Sequence, residues 1–289
     1  MTNLMPDGKT RLLGLFGYPV KHTASPAMHN AVFAALKLNC LYLPFEVSPE
    51  NLGKAVAGLR ALNFMGANIT VPHKQDVIEF LDGISGEARL IGAVNTIKVE
   101  GKRLVGYNTD GRGFVQSLKE DAGFSFKGKK MVLVGAGGAG RAIAAQSGLE
   151  GIKQITISDE QESRAESLAS HISGKIPGCK GLAASVKDAS FGDSLADADI
   201  VVDATPLGMH SSDPTSFDPM LLTKGTVVVD LVYNPPVTKL LRGAQKRGCK
   251  VFNGMGMLLH QGAISFELWI GRKPPLEIMR KALAKAIAS

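Results

Sequence analysis

Apolar residues recur through the first 110 positions as short runs, separated by segments of helical spacing. The runs RLLGLFG (11–17), CLYLPFEV (40–47) and GANITV (66–71) read as strands. Positions 26–38, 50–62 and 72–81 carry apolar residues at three- and four-residue intervals, which predicts helices. Strand and helix in alternation predict βαβ units and a parallel sheet. AVNTIKV (93–99) and RLVGYN (103–108), with EGK between them, predict a hairpin at the end of this unit, and GRGFVQSLKEDAG a helix leading onward.

A second alternation begins at Lys129. KMVLVG, QITIS, DIVVDAT, TVVVDLV and CKVF are valine- and isoleucine-rich throughout, the uniform apolarity of parallel strands covered on both faces. This is a doubly wound pattern. After Phe252, NGMGMLLHQGAISFELWIG and a terminal helix from about Pro275 add no strand, and are expected to pack back on the first domain.

Composition narrows the class without naming a chemistry. A chain of 289 residues suits two domains, and 45% hydrophobic content with 33 glycines fits a globular α/β enzyme. No uninterrupted apolar segment reaches the ~18 to 20 residues of a spanning helix, so no membrane partner is expected. The opening MTNLMPDGKTRLLG lacks the regions of a signal peptide, which makes the cytoplasm the expected location. Cys40, Cys179 and Cys249 are far apart, and are expected to be buried thiols. Six histidines without metal-ligand spacing predict no metal site. The net charge of +7 is dispersed, which argues against nucleic acid and suits an anionic small molecule.

VGAGGAGRA sets Gly135, Gly137 and Gly140 in GxGxxG register between a strand and a helical segment. The first glycine permits a tight turn, the second a close approach of backbone to a pyrophosphate, and the third close packing of helix on sheet. The helix N-terminus adds unpaired N–H groups and a positive dipole. A second strand follows and ends in Ser158 and Asp159, about twenty residues beyond the last glycine, where a carboxylate meets an adenosine ribose. An acid there opposes a 2′-phosphate, because unit charges about 4 Å apart at an effective dielectric of about 20 repel by about 4 kcal/mol. Arg164 and Lys153 lie close in sequence and offset that repulsion, while Glu160 is free to face solvent.

Four polar motifs in the first domain are not explained by packing: HTASP (22–26), NITVPHK (68–74), GAVNT (92–96) and GYNTDGRGF (106–114). Ligands of open α/β sheets bind beyond the carboxyl ends of strands, where these motifs are expected to converge. Pro72 suits a first helical turn, which puts Lys74 near a helix N-terminus, against the macrodipole. Asp110 is the candidate compensating partner, leaving a lysine suited to proton exchange with a hydroxyl or ketone. Spacing alone favours a solvated surface lysine, and allows Thr23 and Ser25 to be no more than caps of a helix starting at Pro26.

Taken in order, these motifs resemble the shikimate dehydrogenase family, from GLFGYPVKHTASPAMHNA through GMGMLLHQGAISFELWIG. The resemblance implies an α/β fold of two domains. A substrate domain spans 1–111 and is completed by C-terminal helices over 255–289; a Rossmann dinucleotide-binding domain, with a doubly wound parallel sheet, spans 112–254. It also implies a cleft where cofactor and substrate meet. The implied reaction is reversible NAD- or NADP-dependent reduction of 3-dehydroshikimate to shikimate, in aromatic amino-acid biosynthesis. Lys74 is the implied acid/base, paired with Asp110. Thr23, Ser25, Thr70 and Tyr233 are implied at the substrate carboxylate, and Asn95 and Gln261 at the ring hydroxyls. The implied cofactor-binding residues are Gly135, Ala136, Gly137, Gly138, Ala139, Gly140, Ser158, Asp159, Arg164, Thr205, Leu231 and Gly254.

Two departures from the family pattern stand out. Thr23 occupies a position where serine is usual, adding a methyl beside the carboxylate site. Ser158, Asp159 and Glu160 replace the Asn-Arg-Thr of NADP-using members, which resembles the NAD-preferring quinate/shikimate branch. An NAD-dependent quinate/shikimate dehydrogenase is therefore the alternative reading, and a non-catalytic shikimate-sensing regulator the more distant one. The expected assembly is a monomer or homodimer.

Overall fold

A computed structural model describes residues 6–288. Its elements begin with β1 (Arg11–Gly17), α1 (Ser25–Ala35), β2 (Cys40–Glu46), α2 (Leu52–Ala61) and β3 (Gly66–Ile69). Next come β4 (Gly83–Ile84), α3 (Gly86–Ile91), β5 (Thr96–Glu100), β6 (Arg103–Tyr107) and α4 (Asp110–Ala122). The chain goes on through β7 (Lys130–Val134), α5 (Gly138–Leu149), β8 (Gln154–Ser158), α6 (Glu162–Lys175), β9 (Lys180–Ala183) and α7 (Ala189–Ala196). It finishes with β10 (Ile200–Asp203), β11 (Val227–Asp230), α8 (Lys239–Lys246), β12 (Lys250–Asn253), α9 (Met255–Ile270) and α10 (Leu276–Ala288). Two compact units result, one of Met1–Gly113 with Leu258–Ser289 and one of Phe114–Met257. The junctions fall at 113/114 and 257/258, where the sequence suggested 111/112 and 254/255.

In the first unit β1 pairs parallel with both β2 and β3, the outcome of helical returns through α1 and α2. The β5–β6 hairpin then joins antiparallel to β3, so the sheet of order β2-β1-β3-β5-β6-β4 is mixed. Its core is built on Phe16, Val56, Leu59, Ile69, Val77 and Ile97. Register matters for the site, since Asn68 pairs with Thr96 and Thr96 with Tyr107. The residues just after β3, just before β5 and just after β6 therefore leave the sheet at one end. The terminal helix α10 packs on α1 within this unit.

The largest local departure from expectation lies at 72–81. No α-helix forms there: residues 71–75 are turns and only Asp76–Phe80 is a 3₁₀ helix. Lys74 O accepts from Val94 N–H at 2.7 Å, so Ile78 N–H closes on Gln75 O at 3.2 Å instead of on Lys74. That shifts the ladder from i+4 to i+3. The helix expected over 26–38 runs from Ser25 to Ala35 and is followed by Lys37 at φ +53°. The helix expected over 50–62 begins within a 3₁₀ turn, Pro49–Asn51, and runs on as α2. Strand β4 and helix α3 are too short to leave a periodic signature.

The second unit is a six-stranded, wholly parallel sheet of order β12-β11-β10-β7-β8-β9. Every residue of β10 and β11 is buried, as their valine-rich runs predict, the terminal Asp203 and Asp230 included. Strand β9 (KGLA) lacks that signal because it lies at the sheet edge and buries neither face fully. Strand order reverses at β7, beside β10, which is where such sheets bind ligands past their carboxyl ends.

Candidate active site

Lys74 reaches its position by three tethers. His73 is fully buried, its Nε2 donating to Val47 O at 2.7 Å; His73 N–H bonds Thr70 O at 3.0 Å; and Lys74 O holds Val94 N–H. The macrodipole argument for this lysine therefore falls, since no α-helix starts at Pro72; the backbone bonds aim it instead. Its Nζ lies 2.6 Å from Asp110 Oδ2, with side-chain exposures of 13% and 5%. Asp110 opens α4, where a carboxylate is favoured by the helix dipole, and its own N–H is held by Asn108 Oδ1 at 3.0 Å. The expectation of a partnered rather than solvated lysine is what the geometry shows.

Asn95 occupies the other face of that carboxylate. Thr109 N–H donates to Asn95 Oδ1 at 2.8 Å, which fixes the amide's orientation and leaves Nδ2 pointing at Asp110 Oδ1, 2.8 Å away. Gln261 Oε1 lies 3.3 Å from the same Nδ2. Four of the candidate residues, Lys74, Asp110, Asn95 and Gln261, thus form one hydrogen-bonded cluster. Thr70 follows β3, its N–H held by Phe16 O, at the sheet end where that cluster lies. Thr23 and Ser25 follow β1, the parallel neighbour of β3. Neither side chain caps α1: Ser25 is already helical, and Thr23 Oγ1 accepts only from Ser25 N–H, at 3.3 Å. Tyr233 belongs to the second unit, in the segment after β11.

In that second unit the cofactor candidates follow strand ends: Gly135 after β7, Asp159 after β8, Thr205 after β10, Leu231 after β11 and Gly254 after β12. Gly135 adopts φ +100°, and a Cβ on Gly140 would overlap the Gly135 carbonyl oxygen. Nothing lies within 4 Å of the place a Gly137 Cβ would take, and as N-cap of α5 it offers no side-chain hydrogen bond. Open backbone at an uncapped helix start fits a pyrophosphate. Asp159 Oδ2 accepts from Ala136 N–H at 2.7 Å and Oδ1 from Gln161 N–H at 2.9 Å, so the acid brackets the glycine turn. Glu160 and Arg164 are exposed.

Asp203 and Asp230 escaped the sequence reading. They are register partners at the ends of β10 and β11 and both are buried. Asp203 binds Thr205 N–H and Oγ1 at 2.9 and 2.7 Å and Ser216 Oγ at 2.5 Å, while Asp230 binds Val232 N–H at 3.0 Å and Thr238 Oγ1 at 2.6 Å. The pair thereby shapes the two loops that carry Thr205 and Tyr233. Burial first, and the Asp203 carboxylate last, push Asp230 up to about 6 against the pull of its hydrogen bonds. A group raised in the folded state stabilises fully below its unfolded value, near 3.8, and that stabilisation is lost as pH rises through about 6. Wild-type stability is thus expected to fall by roughly 3 kcal/mol from this group between pH 4 and 7. Asp230→Asn should flatten that slope in chemical unfolding series across the same range, whereas parallel wild-type and variant curves would remove the assignment.

Residues 15–97 match the family model described as shikimate dehydrogenase substrate binding domain, and residues 254–284 that of the shikimate 5′-dehydrogenase C-terminal domain. Residues 130–234 match a model for NADP oxidoreductase, coenzyme F420-dependent. Shikimate dehydrogenase (NADP(+)) of Desulforamulus reducens is 47% identical over 291 residues, covering 98% of this chain and 97% of its own. The chain belongs to the shikimate dehydrogenase family. A crystal structure of a shikimate dehydrogenase in complex with NADP+ superposes with a TM-score of 0.90 at 40% identity, covering 99% of this chain and 98% of the other. Shikimate 5-dehydrogenase from Listeria monocytogenes, in complex with shikimate and NAD, gives 0.88 at 37% identity, covering 96% and 97%.

Members of the shikimate dehydrogenase family are oxidoreductases acting on a CH–OH group, and the chain is one of them. Full-length matches to shikimate dehydrogenases do not favour the alternative of an NAD-dependent quinate enzyme. No helix among the described residues is long and apolar enough to cross a membrane. Sequence reading missed the buried residues that hold Asn95 and Asp110, namely Asn68, Thr96, Asn108, Thr109 and Ser265. Asn68, Thr96, Asn108 and Thr109 lie inside motifs singled out as polar, and that polarity was the available signal.

Proposed function

We propose that this member of the shikimate dehydrogenase family interconverts 3-dehydroshikimate and shikimate in the cytoplasm, with Lys74 as acid/base and Asp110 as its partner. The observation that carries the reading is the 2.6 Å pair of Lys74 and Asp110, largely shielded from water and braced by Asn95. When bound, the nicotinamide supplies or takes up the hydride. As the ketone is reduced, Lys74 gives its proton to the carbonyl oxygen while Asp110 keeps the ammonium aimed; in oxidation the amine takes the hydroxyl proton. Thr23, Ser25, Thr70 and Tyr233 offer hydroxyl donors to the substrate carboxylate, and Asn95 and Gln261 meet the ring hydroxyls. Hydroxyls bind the anion without altering the charge balance around Lys74. The enzyme works on its small-molecule substrate as a monomer or homodimer, with no nucleic-acid or membrane partner.

Either NAD or NADP serves as cofactor on this reading. The relatives' names, which carry NADP(+), support NADP, while Asp159 pulls toward NAD. Two backbone N–H groups partly offset its charge, so the pull is a bias rather than a bar. Steady-state oxidation of shikimate and quinate with each nucleotide tests the whole reading. The expected kcat/KM is higher for shikimate by about tenfold or more, the scale on which a polar site rejects a misfitting analogue. A preference for quinate would overturn the substrate assignment, and binding of shikimate without turnover would restore the sensor.

A further inference from the structure

Ser265 lies on α9, one turn beyond Gln261, and is fully buried. A serine inside a helix is ordinarily satisfied by the carbonyl four residues back. Ser265 Oγ has that bond, to Gln261 O at 3.0 Å, and three further polar neighbours. These are Asn68 Nδ2 at 3.1 Å, Thr96 Oγ1 at 2.8 Å and Thr109 Oγ1 at 3.1 Å. They come from β3, from β5 and from the residue before Asp110, so one hydroxyl joins the helix to each segment that frames the Lys74 pair.

The directions of these bonds follow from what each group can give. Ser265 donates to the Gln261 carbonyl, which only accepts, and Asn68 Nδ2 donates to Ser265. Asn95 Nδ2 faces Asp110 Oδ1 and Thr109 Oγ1, each at 2.8 Å, so the Thr109 hydroxyl is an acceptor from Asn95, and its own proton has two acceptors, Ser265 Oγ at 3.1 Å and Asn95 Oδ1 at 3.2 Å. Thr96 has Asn95 Oδ1 at 3.0 Å for its proton. Each of the three hydroxyl protons then has an acceptor, and a continuous hydrogen-bonded chain runs from Asp110 through Asn95 and Thr109 to Ser265.

We infer that Ser265 is a positioning residue for the reaction: it sets the Thr109 hydroxyl, through it the Asn95 amide, and through that amide the carboxylate that aims Lys74. It also fixes the turn of α9 that presents Gln261. The inference rests on the roles proposed above for Lys74 and Asp110. Loss of the hydroxyl leaves the Thr109 proton only Asn95 Oδ1, 3.2 Å away, so the Thr109 oxygen is no longer held as an acceptor for Asn95 Nδ2 and the aim of that amide at Asp110 loosens, although Thr109 N–H still holds its Oδ1. Ser265 is not itself among the substrate candidates, and the hydroxyls proposed for the substrate carboxylate are left in place, so the loss falls on turnover more than on KM.

Ser265→Ala is the test, with Trp269→Phe as the control. Trp269 Nε1 donates to Ile97 O at 2.9 Å, another buried bond from the same helix to β5, outside the chain that ends at Asp110. Both variants should lower Tm. Ser265→Ala alone should lower kcat about tenfold, or about 1.4 kcal/mol, with KM for shikimate changed less than about threefold. If Ser265→Ala is too unstable to assay, Ser265→Cys carries the same expectation, since a thiol preserves much of the volume and bonds weakly. A kcat within about twofold of wild type, with Tm lowered as in Trp269→Phe, would reduce Ser265 to a packing hydroxyl. Lys74→Ala in the same series separates the two claims: retained turnover there brings down the proposed mechanism, whereas its loss beside an active Ser265→Ala brings down the Ser265 inference alone.

Discussion

Lys74→Ala is expected to lower kcat for shikimate oxidation by a factor of about 100 to 10,000, the usual contribution of a positioned general acid/base. KM for the nucleotide should stay within about twofold, since the lysine is not among the cofactor candidates. The variant should also fold. Asp110 loses one partner but keeps Asn95 Nδ2 at 2.8 Å and its place at the start of α4, so the remaining carboxylate is neither bare nor opposed by the helix dipole. A thermal melt beside the assay distinguishes lost chemistry from lost structure. Unchanged kcat would remove Lys74 from the mechanism, because a lysine held 2.6 Å from a buried acid has no other route to so small an effect.

Lys74 is aimed by backbone bonds and not by a helix N-terminus, and only its pairing is written in the sequence. The pairing with Asp110 was legible because both residues sit in polar motifs that packing does not explain. The means of holding the lysine was not, since it depends on the Val94 N–H taking the Lys74 carbonyl, a bond between segments twenty residues apart in the chain. Helical spacing over 72–81 was satisfied by Val77 turning into the core with Ile78 and Leu81 packed against it, which a 3₁₀ turn does as well as an α-helix. The inner strands of the second unit were legible nearly to the residue, because two-sided burial leaves apolar runs; of the two edges, β12 was legible through Val251 and Phe252 although only partly buried, and β9 left no signal. Ser265 and the Asp203–Asp230 pair were silent for a different reason. A single buried polar residue in an apolar helix or strand end looks like any tolerated serine or aspartate until its partners from distant segments are seen.

Asp159→Ser is expected to raise the ratio of kcat/KM for NADP over NAD by about 10- to 30-fold. A 2′-phosphate carries about −1.5 to −2 charges, and its repulsion by a carboxylate about 4 Å away is about 4 kcal/mol at an effective dielectric of about 20. The Ala136 and Gln161 N–H groups bonded to the two carboxylate oxygens offset part of that charge, which brings the expectation down to about 2 kcal/mol, or about thirtyfold at most. Arg164, exposed in the first turn of α6, acts in the same direction once the acid is gone, with Glu160 and Glu162 beside it limiting the gain. The same two hydrogen bonds create a competing explanation, because serine shortens the side chain and loosens the glycine turn for both nucleotides. Asp159→Asn resolves it: the amide keeps the length and an acceptor oxygen while removing the charge. If charge governs selection, Asn and Ser raise the NADP/NAD ratio alike and Asn retains more activity with NAD. If neither moves the ratio, Asp159 is a bracket for the turn at Ala136 and selects nothing.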